Sequence, residues 1–254
     1  MEGTSSHAGC NLLRANNMND LSRAEMLVEY KFQTRKEAFY FHLQHVLAHR
    51  FDTPEKLDEF YEAIPTNEEK FLLLSTCASY RYMVKDGDWV SKVNGIEQVV
   101  DYITDSHKLL TIFALIESLS NLKHVHFQQW LKNEKKLPIL DEKHLNKLND
   151  EYLLTYGSIK KVVAFFERLS DDHQAKLCNL LTKQREPMDS IKRFAQFLYN
   201  MRSQFAHEGK LSVGLQNAPT IKFMGKDSIL IEVKIEDVME AFELGLISRF
   251  TQRT

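Results

Sequence analysis

Several residue types are scarce in this chain of 254 residues, and each shortage excludes a class of protein. Nine glycines and five prolines are too few for a collagen-like repeat, and they disfavour a turn-dense all-β protein. The three cysteines, Cys10, Cys77 and Cys178, lie far apart, and their odd number argues against a disulfide framework. No apolar run approaches the roughly 20 residues of a membrane span, and the first residues do not resemble a secretory signal. We therefore expect a soluble, cytoplasmic protein without a membrane partner.

What the chain does contain is typical of a globular protein with a substantial core. Hydrophobic residues make up 43% of it and charged residues 27%, and there are 16 phenylalanines. The 33 basic and 35 acidic side chains leave a formal net charge of −2. This balance excludes a histone-like polycation, although local basic patches are compatible with it.

The succession of polar and apolar segments predicts three regions. Residues 1–19 are polar and aperiodic, which is typical of a disordered leader. Residues 20–92 carry apolar side chains at helical spacing, which predicts an N-terminal helical region with a break at the sequence KDGDW, residues 85–89. Residues 93–254 then form the main helical domain.

Caps and helix breakers place the elements within these regions. In the N-terminal region we predict a long helix over 20–50, a second helix opened by Thr53 and Pro54, and a third opened by the capping box of Thr66 and Glu69. In the main domain the predicted helices are a short one at 95–103, then 105–119, 142–169 with Gly157 as a weak point, 172–184, 190–208 and 235–251. Ser190 leads into the helix at 190–208, and Gly209 stops it. Short strand-like segments are 211–215, 220–224 and 228–234, of which the last two form a hairpin.

The helix predicted at 190–208 has two distinct faces. Its apolar stripe, which must face the core, consists of Ile191, Phe194, Leu198, Met201 and Phe205. On the other side, Arg202 and His207 flank a strip formed by Tyr199, Ser203 and Ala206, and helix geometry puts Arg202 and His207 about 140° apart. They do not converge on one atom within a single helix. A second copy packed across a two-fold axis would bring the patches together.

The same helix carries a recognisable motif. The segment FLYNMRSQFAHEGKL, residues 197–211, resembles the last core helix of HEPN domains, whose signature is an Arg, a polar residue and, a few residues on, a His. Here the matching residues are Arg202, Ser203 and His207; family members most often carry Asn, Asp or His where Ser203 stands. Tyr199 and the Glu-Gly pair after His207 resemble the Apea-like and Abi-like branches of the family.

Two further segments extend the resemblance over roughly 95–254. The sequence LIESL, residues 115–119, is similar to an earlier core helix of the family, which often carries a Glu. The sequence EDVMEAFELGLISRF, residues 236–250, is similar to the family's trailing helix. The resemblance implies an all-α fold, a HEPN-like helical bundle with a small C-terminal β-hairpin, to which residues 20–92 add the N-terminal helical region.

In function, the resemblance implies a metal-independent endoribonuclease of toxin or antiphage-defence type that cuts RNA at the cleft of a homodimer. His207 would be the general base, because an imidazole exchanges protons near neutral pH. Arg202 would stabilise charge on the phosphate, because its planar donor fork matches phosphate oxygens. Ser203 completes the catalytic set by orienting the imidazole or an RNA hydroxyl. The scheme requires no cofactor. The resemblance also implies that a protein partner, such as an antitoxin, binds this protein.

Three other side chains are assigned to substrate binding, namely Tyr199, Lys192 and Glu117. Glu117 follows the apolar run LLTIFALI, which suggests a partly buried carboxylate. Two roles stay open for Glu117, because buried charges usually need partners. It either pairs with Arg202 and holds the guanidinium in position, or lies at the surface beside another basic residue.

Two other interpretations remain open. The chain could be a catalytically inactive HEPN-fold scaffold that binds RNA, a nucleotide or a partner protein. Arg202 would then form a surface ion pair and His207 would interact with the helix dipole. Separately, His42, His45 and His49 share one helix face, but ligands on one straight helix converge poorly and no acidic residue completes the set. We therefore expect no metal site.

Overall fold

The computed structural model describes residues 39–87, 98–120, 126–134, 138–139, 141–212, 214–215, 218–224 and 227–251. The predicted leader at 1–19 and the first part of the predicted first helix lie outside the described residues. The chain divides into two compact units, one ending at Ala78 and the other beginning at Ser79. Within the described ranges the chain is mostly helical and has one small antiparallel sheet, which confirms the predicted mainly helical class.

The described part of the first unit, from residue 39 onward, contains three helices. They are α1 at 39–47, which continues as the 3₁₀ turn Ala48–Arg50, α2 at Pro54–Glu62 and α3 at Asn67–Tyr80, whose last residues belong to the second unit. Both predicted caps are present. Thr53 accepts a hydrogen bond from the Lys56 N–H at 3.4 Å, and Thr66 accepts one from the Glu69 N–H at 3.2 Å. After α3 the chain forms a short π-helical segment, Arg81–Lys85, which ends where KDGDW begins.

The second unit carries most of the helices. These are α4 (Gln98–Ser118), α5 (Phe127–Asn133), α6 (Glu142–Tyr156), α7 (Ser158–Phe166), α8 (Asp171–Asn179), α9 (Ile191–Glu208) and α10 (Ile235–Thr251). The predicted bounds of α9 and α10 are confirmed. Ser190 caps α9 by accepting the Arg193 N–H at 3.4 Å, and Gly209 ends it at φ 66°, a left-handed conformation that suits glycine.

Three predicted helix boundaries in this unit are wrong, and the first two concern α4 and Gly157. The start expected at residue 105 lies inside α4, where Ser106 is fully buried and its hydroxyl donates to the Tyr102 carbonyl at 2.7 Å. Its side chain therefore bonds back along the helix and does not cap a helix start. The helix expected over 142–169 is divided at Gly157, whose extended backbone (φ −66°, ψ 149°) separates α6 from α7.

The described part of the sheet has four strands in the order β2-β1-β4-β3, every pair antiparallel. The strands are β1 (Leu181–Lys183), β2 (Glu186–Pro187), β3 (Thr220–Met224) and β4 (Asp227–Ile231). The hairpin of β3 and β4 was predicted. The helix expected to reach residue 184 instead gives way to β1, because Leu181 lies opposite Ile231 and both are fully buried. The segment 211–215, expected as a strand, pairs with none of the four.

The core of the second unit is organised around α9, which packs against α4, α7 and α8. Phe113, Phe166 and Phe194 are almost completely buried, and the Phe166 and Phe194 rings meet edge to face with centroids 5.9 Å apart. α10 packs against α4 and α7. Among the described helices, none combines the length and the apolar character required to cross a membrane.

Candidate functional site

The C-terminal turns of α9 are more exposed to solvent than the rest of the helix. Six of its residues are buried, namely Ile191, Phe194, Ala195, Phe197, Leu198 and Met201. The predicted stripe also included Phe205, but this residue is only partly buried, and its ring lies edge-on against His107 of α4, with centroids 5.1 Å apart. Tyr199 and Ser203 are partly accessible and Ala206 is exposed. The strip predicted for close helix approach is therefore at or near the surface.

Arg202 is held by a carboxylate from another helix. Its Nη2 lies 3.6 Å from Oε1 of Glu117 in α4, and the two side chains are only 17% and 23% exposed. Of the two roles left open for Glu117, pairing with Arg202 is the one that the structure contains. The pair is more protected than an ordinary surface ion pair, so solvent screens it less.

Ser158 fixes the other oxygen of Glu117. Its hydroxyl, at the first position of α7, donates to Oε2 of Glu117 at 2.8 Å. No sequence pattern indicated Ser158, because the position of its hydroxyl beside Glu117 depends on the break at Gly157 and on the packing of α7 against α4. Three helices thus position the guanidinium: α9 carries it, α4 supplies the carboxylate and α7 orients that carboxylate.

Tyr199 lies beside the same guanidinium. The Arg202 Cζ is 5.7 Å from the centre of the Tyr199 ring, within the range of cation–π attraction. The Tyr199 ring in turn contacts buried Phe113 with centroids 6.1 Å apart. The predicted substrate contacts Tyr199 and Glu117 therefore both touch Arg202, and both restrict its movement.

Two buried polar atoms of this cluster lack hydrogen bonds. Within the described residues, neither Arg202 Nε nor Glu117 Oε1 has a hydrogen-bond partner. Their ion pair, at 3.6 Å, is longer than a hydrogen bond. Leaving a buried polar group unsatisfied costs roughly 1–3 kcal/mol, so such atoms call for an explanation. Arg202 therefore keeps a donor that its own neighbours do not use.

His207 lies apart from Arg202. It is exposed in the last turn of α9, and helix geometry puts the two Cα atoms about 7.5 Å apart along the axis and about 140° apart around it. Next to it, Glu208 pairs with Lys210 at 2.5 Å, and this pairing, with a smaller effect of His207, lowers the pKa of Glu208. In the described part of the chain, no hydrogen bond joins Ser203 to His207. One chain alone does not bring Arg202, Ser203 and His207 onto one point.

The remaining predicted substrate contact, Lys192, is not part of this cluster. It is exposed in the first turn of α9, about 15 Å along the axis from Arg202 by the rise of an α-helix. Across the described residues, no group of three or more His, Cys, Asp and Glu side chains is placed to hold a metal ion. Two of the three histidines that share a helix face in the sequence contact aromatic rings. The His42 ring lies edge-on to Phe39 with centroids 6.0 Å apart, and the His45 ring is tilted against Phe41.

No protein-family model matches this chain, and neither a curated protein nor a solved structure matches it. The described residues define a mostly helical class of fold with a small antiparallel sheet. The resemblance to HEPN domains rests on the motifs within 95–254 alone. Function is therefore inferred from the chemistry of Arg202, its neighbours and His207.

Proposed function

We propose that this protein is a HEPN-type, metal-independent endoribonuclease of toxin or antiphage-defence type that acts in the cytoplasm as a homodimer. The observation that carries the proposal is the setting of Arg202. This arginine is paired with Glu117 and flanked by Tyr199, and 17% of its side chain stays exposed. A guanidinium fixed in this way suits an anion that arrives from outside the chain, such as an RNA phosphate.

The chemistry uses the ribose 2′-hydroxyl as the nucleophile. His207 takes the proton from this hydroxyl, the 2′-oxygen attacks the adjacent phosphorus, and the bond to the 5′-oxygen breaks as that oxygen takes up a proton from water. The products are a 2′,3′-cyclic phosphate and a 5′-hydroxyl end. Arg202 stabilises the additional negative charge on the phosphate oxygens during the attack. No step requires a metal ion.

In a homodimer, Arg202 of one chain and His207 of the other come close together, although the two residues are apart within one chain. The strip of Tyr199, Ser203 and Ala206 is partly accessible, and its side chains apart from Tyr199 are small enough for two helices to approach closely. An isologous contact across this strip places each chain's Arg202 near the partner subunit's His207. Ser203, at the centre of the strip, then faces the RNA hydroxyl or the imidazole.

Glu117 and Ser158 act as positioning residues in this scheme. The carboxylate holds the guanidinium, and the Ser158 hydroxyl keeps the carboxylate from rotating. Because both side chains are partly buried, the arrangement is in place before RNA binds. Such preorganised charge is more effective than charge that must be assembled during the reaction.

The second candidate is a catalytically inactive HEPN-fold scaffold that binds RNA, a nucleotide or a partner protein. One observation favours it: within a single chain Arg202 already has an anionic partner, Glu117, while His207 is exposed and has no hydrogen bond to Ser203 among the described residues. In that case Arg202 would be structural, and binding would not be followed by cleavage.

The experiment that separates the two candidates is cleavage of single-stranded RNA in the presence of EDTA, with the product ends identified. We expect 2′,3′-cyclic phosphate and 5′-hydroxyl ends. His207→Ala should lower the rate by about 10²- to 10⁴-fold, the usual contribution of a general base. Arg202→Ala should have a comparable effect, and Arg202→Lys should not restore activity, because lysine lacks the planar fork.

Two matched controls are available in the same chain. Arg193→Ala removes an arginine from the same helix, where it forms an exposed pair with Asp189 at 2.6 Å, and His45→Ala removes an exposed histidine. Both should cleave RNA at the wild-type rate. RNA binding without cleavage by the wild-type protein would instead support the scaffold, and activity abolished by EDTA would contradict the mechanism.

A further inference from the structure

A second polar site lies on another side of α9, where the helix meets the sheet. A cavity of about 270 Å³ opens between the last turns of α9, the segment that follows it and strand β3. Its polar lining consists of Gln204, Lys210, Ser212, Thr220 and Lys222. None of these residues is among the site residues predicted from the sequence. They come from two elements and the segment between them, and only the fold brings them together.

Two positive charges share this cavity. The Lys222 ammonium donates to Oε1 of Gln204 at 3.1 Å and lies 5.8 Å from the centre of the Phe197 ring. Burial and, to a lesser degree, the charge of Lys210 lower the pKa of Lys222. No carboxylate belongs to the described lining of the cavity. The charge of Lys222 is therefore met only by an amide oxygen and an aromatic face.

The Lys210 side chain does have an acidic partner, but an exposed one. Its Nζ lies 2.5 Å from Glu208, and both side chains are at least half exposed. Exposed pairs of this kind contribute only about 0–1 kcal/mol. Lys210 can therefore exchange Glu208 for a stronger anion in the cavity at little cost.

One lining residue of the cavity, Ser212, carries a buried hydroxyl that is unsatisfied among the described residues. Ser212 is 2% exposed, and its Oγ has no hydrogen-bond partner among the described residues. Its backbone N–H donates to the Ser106 hydroxyl at 2.7 Å, which fixes the position of Ser212 against α4. A buried hydroxyl without a partner is costly unless a ligand supplies one. Two cations, an amide and this hydroxyl together have the chemistry of an anion site.

We propose that this cavity binds a phosphate group. Its volume is just below the roughly 300–1,000 Å³ of pockets that enclose drug-sized molecules, so it suits a small anion. A bound phosphate neutralises the two lysines and accepts hydrogen bonds from their ammonium groups and from Ser212. Lys222 is the central ligand, because its charge has no carboxylate partner in the described lining.

The cavity is on the His207 side of α9. Gln204 and His207 are about 60° apart around the helix and about 4.5 Å apart along it, whereas Gln204 and Arg202 face nearly opposite directions. A phosphate in the cavity thus lies on the side of the proposed base. We assign it to the backbone of an RNA strand next to the nucleotide that is cut; this assignment rests on the proposed function, whereas the phosphate site itself does not.

Calorimetric titration of the full-length chain tests the site with three probes: inorganic phosphate, a nucleoside 5′-monophosphate and a 2′-O-methyl RNA oligonucleotide, which cannot be cleaved. We expect all three to bind. Lys222→Met keeps the apolar stem of the side chain and should weaken each binding about tenfold, the loss expected for a charged hydrogen bond. Lys222→Arg should retain most of the affinity. Lys234→Met, an exposed lysine after β4, is the matched control and should change nothing.

Each other outcome overturns a defined part of the proposal. Phosphate affinity that is the same in the wild type and in Lys222→Met would overturn the site, provided that circular dichroism shows both proteins folded. Weakened binding of the two small probes without weakened binding of the oligonucleotide would overturn the assignment to an RNA strand. Phosphate binding that depends on Lys222 in a protein that cleaves no RNA would contradict the proposed ribonuclease and uphold the phosphate site.

Discussion

At the scale of single residues, the contact between Arg202 and Glu117 shows what a sequence pattern can and cannot predict. Glu117 after an apolar run predicted a partly buried carboxylate, and helix geometry placed Arg202 at the edge of the strip of Tyr199, Ser203 and Ala206. Their pairing was one of two alternatives, because periodicity gives the face of a helix but not its neighbour. Ser158 was not predictable, since only the packing of α7 brings it to Glu117.

The Arg202 pair gives a test that does not depend on RNA cleavage. Glu117→Gln removes the negative charge and leaves a partly buried guanidinium without its partner, so it should lower the free energy of unfolding by about 1–3 kcal/mol. Urea denaturation measures this directly. The control is Asp189→Asn, which breaks the exposed pair with Arg193 and should change the free energy by less than about 1 kcal/mol. Equal effects of the two variants would show that Arg202 is not specially held.

At the scale of elements, local chemistry predicted the ends of helices where the relevant atoms are neighbours in sequence. Thr53, Ser190 and Gly209 mark helix ends as predicted, because a cap bonds to backbone groups within a few residues. The prediction failed at β1, where pairing with β4 decides the structure. In the turn between β1 and β2, Gln184 and Arg185 have φ angles of 54° and 72°, which are unusual for residues other than glycine. No local sequence pattern indicates this turn.

The packing of α10 on α7 gives a prediction at this scale. A Cβ atom on Gly245 would lie 2.4 Å from Cε1 of the Phe165 ring, so only glycine allows the two helices to meet as they do. Gly245→Ala should therefore destabilise the protein by about 1–3 kcal/mol, the usual cost of overpacking, even though alanine favours helix formation. Thermal unfolding followed by circular dichroism measures the loss.

A second substitution separates crowding from other effects of the new methyl group. Phe165→Leu removes the atoms that clash, so it should recover part of the stability lost in Gly245→Ala. It should not rescue Gly209→Ala, because a Cβ at Gly209 meets nothing within 4 Å and the strain there comes from its φ of 66°. Additive losses for Gly245→Ala and Phe165→Leu would contradict the packing explanation.

At the scale of the whole molecule, composition and helical periodicity were sufficient for the class of fold, which is mostly helical with a small sheet. The sequence motif led to α9, and helix geometry placed Arg202 and His207 of one chain on different sides of it. The structure adds the contacts of Glu117 and Ser158 that hold Arg202. The cavity at Lys222 was beyond prediction, because the contact between Lys222 of β3 and Gln204 of α9 depends on tertiary packing and not on local sequence. In the proposed two-fold assembly, both halves of the motif would act on one phosphate.

Mixing two inactive variants tests this assembly most directly. In a composite site, one protein with Arg202→Ala and one with His207→Ala form a mixed dimer with one intact site, which combines Arg202 of one chain with the partner subunit's His207. Random exchange of subunits should restore RNA cleavage in EDTA to about a quarter of the wild-type rate, because half of the dimers are mixed and each has one of two sites. A mixture that stays inactive, although mixed dimers are shown to form, would contradict an active site shared between two chains.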